Sequence, residues 1–147
     1  MKTELISICK KLVDDRITVL RDQLRDLVEG ASNDSKSTAG DKHETARAMM
    51  QIEQEKLANQ LNLTLAQEQS MQRVQDVNSS ESIVNGSLVE TNQGWIYISV
   101  PLGRVEVKNT IVMCLSAQSP LGMKLIGKTI GEKVQINAAE YLIKSIG

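Results

Sequence analysis

The chain has 147 residues, and its 17 Lys and Arg nearly balance 18 Asp and Glu. That length allows one domain or two small ones, and the absence of a basic excess argues against bulk nucleic-acid binding. Phe is absent and the aromatics, Trp95, Tyr97 and Tyr141, all fall in the second half, so the first half lacks material for a conventional globular core. Cys9 and Cys114 are too few and too far apart in sequence for a disulfide framework or a zinc site. Each sits among apolar residues, which predicts buried thiols in a reducing compartment. The start, Met-Lys-Thr-Glu-Leu-Ile, is charged and has no apolar h-region, and no apolar run reaches the length of a membrane span. The expectation is a soluble cytoplasmic protein with no membrane partner.

From Glu4 to Val28 apolar residues recur every three or four positions. Ile6, Val13, Ile17, Leu20, Leu24 and Leu27 form a stripe, widened near its start by Leu5, Ile8, Cys9 and Leu12. The other face alternates Lys10, Lys11, Arg16, Arg21 and Arg25 with acids, the pattern of a solvated face. This predicts an amphipathic helix of about 25 residues, roughly 37 Å long, ended by Gly30.

Residues 30–46, Gly-Ala-Ser-Asn-Asp-Ser-Lys-Ser-Thr-Ala-Gly-Asp-Lys-His-Glu-Thr-Ala, are small, polar and rich in turn formers. Four acids lie in or beside this stretch, Glu29, Asp34, Asp41 and Glu44, against Lys36 and Lys42. A second helix is expected from near Asp41 to about Val77, with Ala46, Met50, Leu57, Leu61, Met71 and Val74 near one stripe. Gln54, Thr64 and Glu68 interrupt that stripe. Two helices joined by a short polar turn fold back as an antiparallel hairpin with the acidic turn at its tip. Asp41 and Glu44 have the spacing of a helix cap, Asp41 at N-cap and Glu44 at N3, which alone accounts for them. His43, the single histidine, fits a solvated loop.

Asn78 to Ser82 is polar and marks a boundary, dividing the chain into a hairpin over 1–78 and a second domain over 79–147. Beyond it the period changes from 3.6 to 2. Strands are expected over 83–90, 95–100, 110–115, 133–138 and 140–146, with Pro101-Leu102-Gly103 as a turn. Ser119, Pro120 and Gly127 suit the cap, first turn and end of a short helix. The expected class is α+β: an N-terminal antiparallel helical hairpin, coiled-coil-like, then a small β-domain of five strands and one short helix. Its expected core includes Leu88, Trp95, Ile96, Ile98, Ile111, Val112, Leu115, Leu125, Ile126, Val134, Ile136, Leu142 and Ile146.

The run Ser119-Pro-Leu-Gly-Met-Lys-Leu-Ile-Gly-Lys-Thr-Ile-Gly-Glu-Lys-Val-Gln-Ile136 resembles the C-terminal domain of the GreA/GreB transcript-cleavage factors. The order of the chain is similar too: a helical hairpin, then a domain of FKBP-like type. At the tip, Gly40-Asp41-Lys42-His43-Glu44-Thr45-Ala46 resembles the family's Gly-Asp-x-x-Glu-Asn-Ala, with Thr45 in place of Asn. A second register, Asp34-Ser-Lys36-Ser37-Thr-Ala39, keeps only one acid and leaves Asp34 in reserve. The family's Tyr-His pair falls near Ala48 and Met49.

The resemblance implies an elongation factor that binds RNA polymerase on transcribed DNA and inserts its tip into the secondary channel. Asp41 and Glu44, with Asp34 in reserve, would help hold Mg2+ there, and the polymerase would cut backtracked RNA. It also implies that the loop Ser119-Pro120-Leu121 docks on the polymerase, and that the factor is a monomer without catalytic activity of its own. An FKBP-type isomerase is disfavoured, because three aromatics are too few to wall such a pocket. A regulator occupying the channel without cleavage remains the alternative.

Overall fold

The computed structural model describes residues 1–34, 40–74 and 80–147, with the side chains of residues 31–43 outside the described set. The elements run α1 (Lys2–Asp34), α2 (Gly40–Val74), β1 (Leu88–Thr91), β2 (Gly94–Ser99), β3 (Gly103–Val107), β4 (Thr110–Ser116), α3 (Pro120–Leu125), β5 (Lys133–Ile136) and β6 (Ala139–Ile146). This is the expected α+β class, a helical hairpin followed by a β-sheet and a short helix. The chain divides into two compact units. One joins Met1–Lys11 to Gln69–Gly147, and the other is Leu12–Glu68.

In the Leu12–Glu68 unit the seam follows the expected spacing. Val13, Ile17 and Leu20 of α1 and Leu57 of α2 are buried. Thr64 is also buried, at 4% exposure, although its polarity was expected to break the stripe. Its hydroxyl donates to the Gln60 carbonyl at 2.8 Å, so it enters the seam with its polar group already satisfied. Gly30 does not stop α1, which continues to Asp34. A helical glycine costs only about 1 kcal/mol relative to alanine, too little by itself to end a long helix. A Cβ at Gly30 would lie 3.9 Å from the Met50 side chain, placing that point of α1 beside α2. The end of the second helix expected near Val77, and the start of the boundary at Asn78, lie outside the described residues.

In the other unit six strands, not five, form one sheet in the order β3-β4-β2-β1-β6-β5. The additional strand is β3. Its Val105 and Val107 point inward while Arg104 and Glu106 are exposed, a two-residue period behind Pro101-Leu102. β3 and β4 are joined through Lys108 and Asn109, both at positive φ (46° and 64°). That is the geometry of a two-residue hairpin turn. All pairings are antiparallel except β2 with β4, where Trp95 to Ser99 run beside Val112 to Ser116. The strand expected from Ile83 begins only at Leu88. Gly86 turns the chain at φ 98°, and Ile83 instead exchanges backbone bonds with Gly127 and Lys128.

The sheet is covered on both faces. One carries Val89, Ile96, Ile98, Val134, Ile143 and Ile146 with Leu125 of α3, and Leu115, Leu121 and Tyr141 pack against them. On the other, Leu88, Tyr97, Val105, Val107, Val112 and Cys114 are buried. The start of α1 meets this second face. Leu5 and Cys9 are fully buried, Cys9 Sγ lies 3.7 Å from Cys114 Sγ, and Glu4 pairs with Lys108 at 2.8 Å. Two expected core members are exposed instead, Ile111 at 58% and Ile126 at 38%. Ile111 alternates with Val112 and Cys114, so burying those two turns Ile111 away.

Candidate functional site

The acidic connection and the α3 loop are the two candidate sites. Asp34 is the last residue of α1 and Asp41 the second residue of α2. Their side chains, and those of Lys36, Lys42 and His43, lie outside the described residues. α2 begins at Gly40, one residue before the expected cap, so Asp41 sits inside the first turn. Glu44 follows three residues later and is exposed. Residues three apart share one face of a helix, so Asp41 and Glu44 are neighbours on α2. Both lie near the positive end of the helix dipole, which favours carboxylates there. Ala48 and Met49 are also exposed, Met49 at 66%, where the resembled family carries an aromatic and a histidine.

Among the described residues no group of three or more His, Cys, Asp or Glu could hold a metal ion. The donor chemistry of Asp41 and Glu44 nevertheless suits Mg2+, which takes hard oxygen ligands and is often bound through one or two carboxylates with several waters retained.

The α3 loop is built from hydrogen bonds that use up its polar groups. Ser119 caps α3, accepting from Gly122 N at 3.0 Å and donating to the Ser116 carbonyl at 2.6 Å. Its own carbonyl accepts from Met123 N at 2.9 Å. Gly122 is buried, and a Cβ there would fall 2.1 Å from the Ser116 carbonyl oxygen. No side chain fits, so glycine is required by close approach. Leu121 is half-buried against the core. Of Ser119, Pro120 and Leu121, Pro120 is therefore the outward-facing residue.

Beside Pro120 the sheet unit carries an exposed surface. Met123 is 63% exposed and Ile130 60%, with Ile126 between them in sequence. A groove of about 410 Å³ runs along Met123, Lys124, Ile126, Lys128, Lys133 and Gln135. Lys124 Nζ donates to the Gln135 carbonyl at 2.8 Å, and Lys133 pairs with Glu140 at 3.5 Å. The signal available in sequence was the pairing of exposed-type apolar residues with lysines across Met123 to Lys133. In the hairpin unit a second groove of about 360 Å³ is lined by Arg16, Leu20, Gln60, Leu63, Thr64 and Gln67. Tyr97 and Tyr141 belong to opposite faces of the sheet, so they wall no common pocket. No described helix is long and apolar enough to cross a membrane.

No protein-family model matches the chain, and no curated protein does. Among solved structures it is similar to the crystal structure of GreA factor homolog 1 (Gfh1) of Thermus thermophilus, at 16% identity and a TM-score of 0.36, covering 94% of each chain. It is also similar to Gfh1 of Thermus aquaticus, at 18% identity and a TM-score of 0.34, covering 98% of this chain and 92% of that one.

Proposed function

We propose that this chain is a Gre-like transcription factor that binds RNA polymerase, reaches the nascent RNA through the secondary channel and stimulates cleavage of backtracked transcripts. The observation that carries the reading is the acid pair Asp41 and Glu44, set three residues apart in the opening turns of α2. It stands in the same chain as the Gre-like run from Ser119 to Ile136. Asp41 and Glu44 would supply the carboxylates for a metal ion, with Asp34, the last residue of α1, as the reserve ligand. Mg2+ held jointly with the polymerase would stabilise the attacking and leaving oxygens of the displacement. The chain needs no metal cage of its own for that role, and the polymerase performs the cut. Pro120, with Met123 beside it, supplies the outward docking contact, and the factor works as a monomer in the cytoplasm.

The test is a stalled, backtracked elongation complex. The wild-type chain raises the rate of RNA cleavage. The double variant Asp41→Ala/Glu44→Ala still binds, but its stimulation falls about tenfold or more, roughly 1.4 kcal/mol of barrier per factor of ten. Higher Mg2+ restores part of that loss. No stimulation by the wild type, or full stimulation by the double variant, sinks the mechanism. The exposed Ala48 and Met49, where the family carries its Tyr-His pair, favour a second reading, channel occupancy without cleavage. Binding with no gain in cleavage selects it.

A further inference from the structure

Cys9 and Cys114 are 105 residues apart in sequence, and their sulfurs lie 3.7 Å apart. Both are buried, Cys9 at 0% and Cys114 at 2% exposure. We propose that they form a reversible disulfide, a thiol–disulfide site that locks the first turns of α1 onto β4. This does not rest on the polymerase reading.

Three features prepare the site. Cys114 sits inside β4 between two partner strands, opposite Gly103 on one side and Tyr97 on the other, so its backbone is held by ladders on both edges. Cys9 is two turns into α1, and Glu4 fastens that end of the helix to Lys108 in the β3–β4 turn. The two sulfurs therefore approach on elements tethered independently of the thiols. A disulfide is about 2.05 Å long, so the sulfurs must close by about 1.6 Å, a distance within the sweep of a χ1 rotation.

The electrostatics of the pair agree with the geometry. The hydrogen bond between the two thiols holds the Cys9 thiol below its ordinary value, and the same bond together with burial pushes Cys114 up. Cys9 lies on the element that opens and Cys114 is held inside β4, so Cys9 is the first sulfur to meet an oxidant.

The oxidant is a low-molecular-weight disulfide of the glutathione type. The Cys9 thiolate attacks one of its sulfurs, breaking the small molecule's S–S bond and releasing one thiolate, which takes a proton. Cys114 loses its proton to water and attacks the Cys9 sulfur of the mixed disulfide. The Cys9 Sγ–Sγ Cys114 bond forms as the second small thiol leaves as a thiolate and takes up a proton. The protein pair gives up two electrons, and the small disulfide is reduced to two thiols. Both sulfurs are covered, so exchange waits on local opening of the start of α1, where Met1 is exposed at 41% and Ile6 and Ile8 are half-buried. Once formed, the bond closes a loop that contains all of α2 and β1 to β3. Cross-links over loops of that length restrict the unfolded chain strongly.

The experiment equilibrates the full-length protein with reduced and oxidised glutathione at a series of ratios. The expected product is a monomer 2 Da lighter, with a peptide joining Cys9 to Cys114. Its thermal midpoint rises by an amount on the order of 10 °C and returns on adding dithiothreitol. Cys9→Ala and Cys114→Ala show neither change. Two free thiols at equilibrium in excess oxidised glutathione, even in sub-denaturing urea that permits local opening, overturn the proposal. So does a stable glutathione adduct without the internal bond, a disulfide between chains, or an oxidised form with a lower midpoint. The main readout uses the wild-type chain and does not depend on either variant folding.

Discussion

Gly30 and Gly122 are both helical glycines, yet the two units use them in opposite ways. In the hairpin a Cβ at Gly30 meets only the tip of Met50, at ordinary contact distance. In the sheet unit a Cβ at Gly122 meets backbone oxygen at 2.1 Å. The hairpin seam is a stripe of side chains that can shift along two helices. The α3 loop closes on Gly122 with the Ser116 carbonyl, the Ala117 backbone and the Ser119 hydroxyl, itself held by two hydrogen bonds. Gly30 has room for a side chain, and Gly122 has none.

The sharpest way to break this contrast is Gly122→Ala. The new methyl would press on the Ser116 carbonyl, the Ser119 hydroxyl and the Ala117 backbone together. The expected loss is about 3 kcal/mol or more, read as a lower urea midpoint. A change within about 1 kcal/mol would show that the loop can move aside. Ser119→Ala tests the same loop from its polar side. It removes an acceptor for Gly122 N and a donor to Ser116, and should cost about 1–2 kcal/mol in the same titration. Ser119→Asp, which keeps a capping oxygen, should recover part of that.

Gly30→Ala should change sign. The position is helical and has room, so alanine removes the entropy cost of glycine and stabilises the hairpin by about 0.5–1 kcal/mol. Helicity by circular dichroism should rise with it. A loss of helicity would mean that Gly30 acts as a break after all. Opposite signs for one substitution at two helical glycines would be the clearest support for the contrast.

The same contrast explains what was legible in the sequence. The hairpin follows from a 3.6-residue period over long stretches, a local signal that survives one glycine and one threonine. Thr64 looked like a fault because the bond to Gln60 is invisible in a stripe count. β3 was missed although Val105 and Val107 alternate with charges, because Pro101 and Gly103 drew the segment into a turn. The contact of Cys9 with Cys114 had no local signal, since no periodicity links positions 105 residues apart. In the candidate site, Asp41 and Glu44 stood out as a pair, but spacing alone gave them a capping role. Only the resemblance implied a part in metal binding. Met123 and Ile126 were expected as helix and core, and only the packing of Leu125 decides which side of α3 faces out.

The smallest effect concerns the ion pairs of α1, which divide along the same line. Asp22 and Arg25, 3.1 Å apart, lie three residues apart on one exposed helix face. Glu4 and Lys108 are 2.8 Å apart and join the start of α1 to the β3–β4 turn. The hydrogen bond with Lys108 holds the Glu4 carboxyl below its ordinary 4.5, and the same bond raises Lys108 above its ordinary 10.5. A lowered carboxyl contributes stability above its unfolded value and loses it as pH falls through the folded one. A raised amine contributes below its unfolded value and loses it as pH rises through the folded one. The pair is therefore in force between about pH 4.5 and 10.5 and fades beyond each end. Both groups are well exposed, so water and salt screen the pair and the expected gain is slight. Glu4→Gln should flatten the pH dependence of unfolding at both ends, and its difference from wild type should vanish in high salt. Asp22→Asn should leave unfolding of the sheet unit unchanged, because its partner is on the same helix. An equal effect from both substitutions would show that Glu4 and Lys108 do not secure α1 to the sheet, and that this task falls to Leu5, Cys9 and the buried face they share.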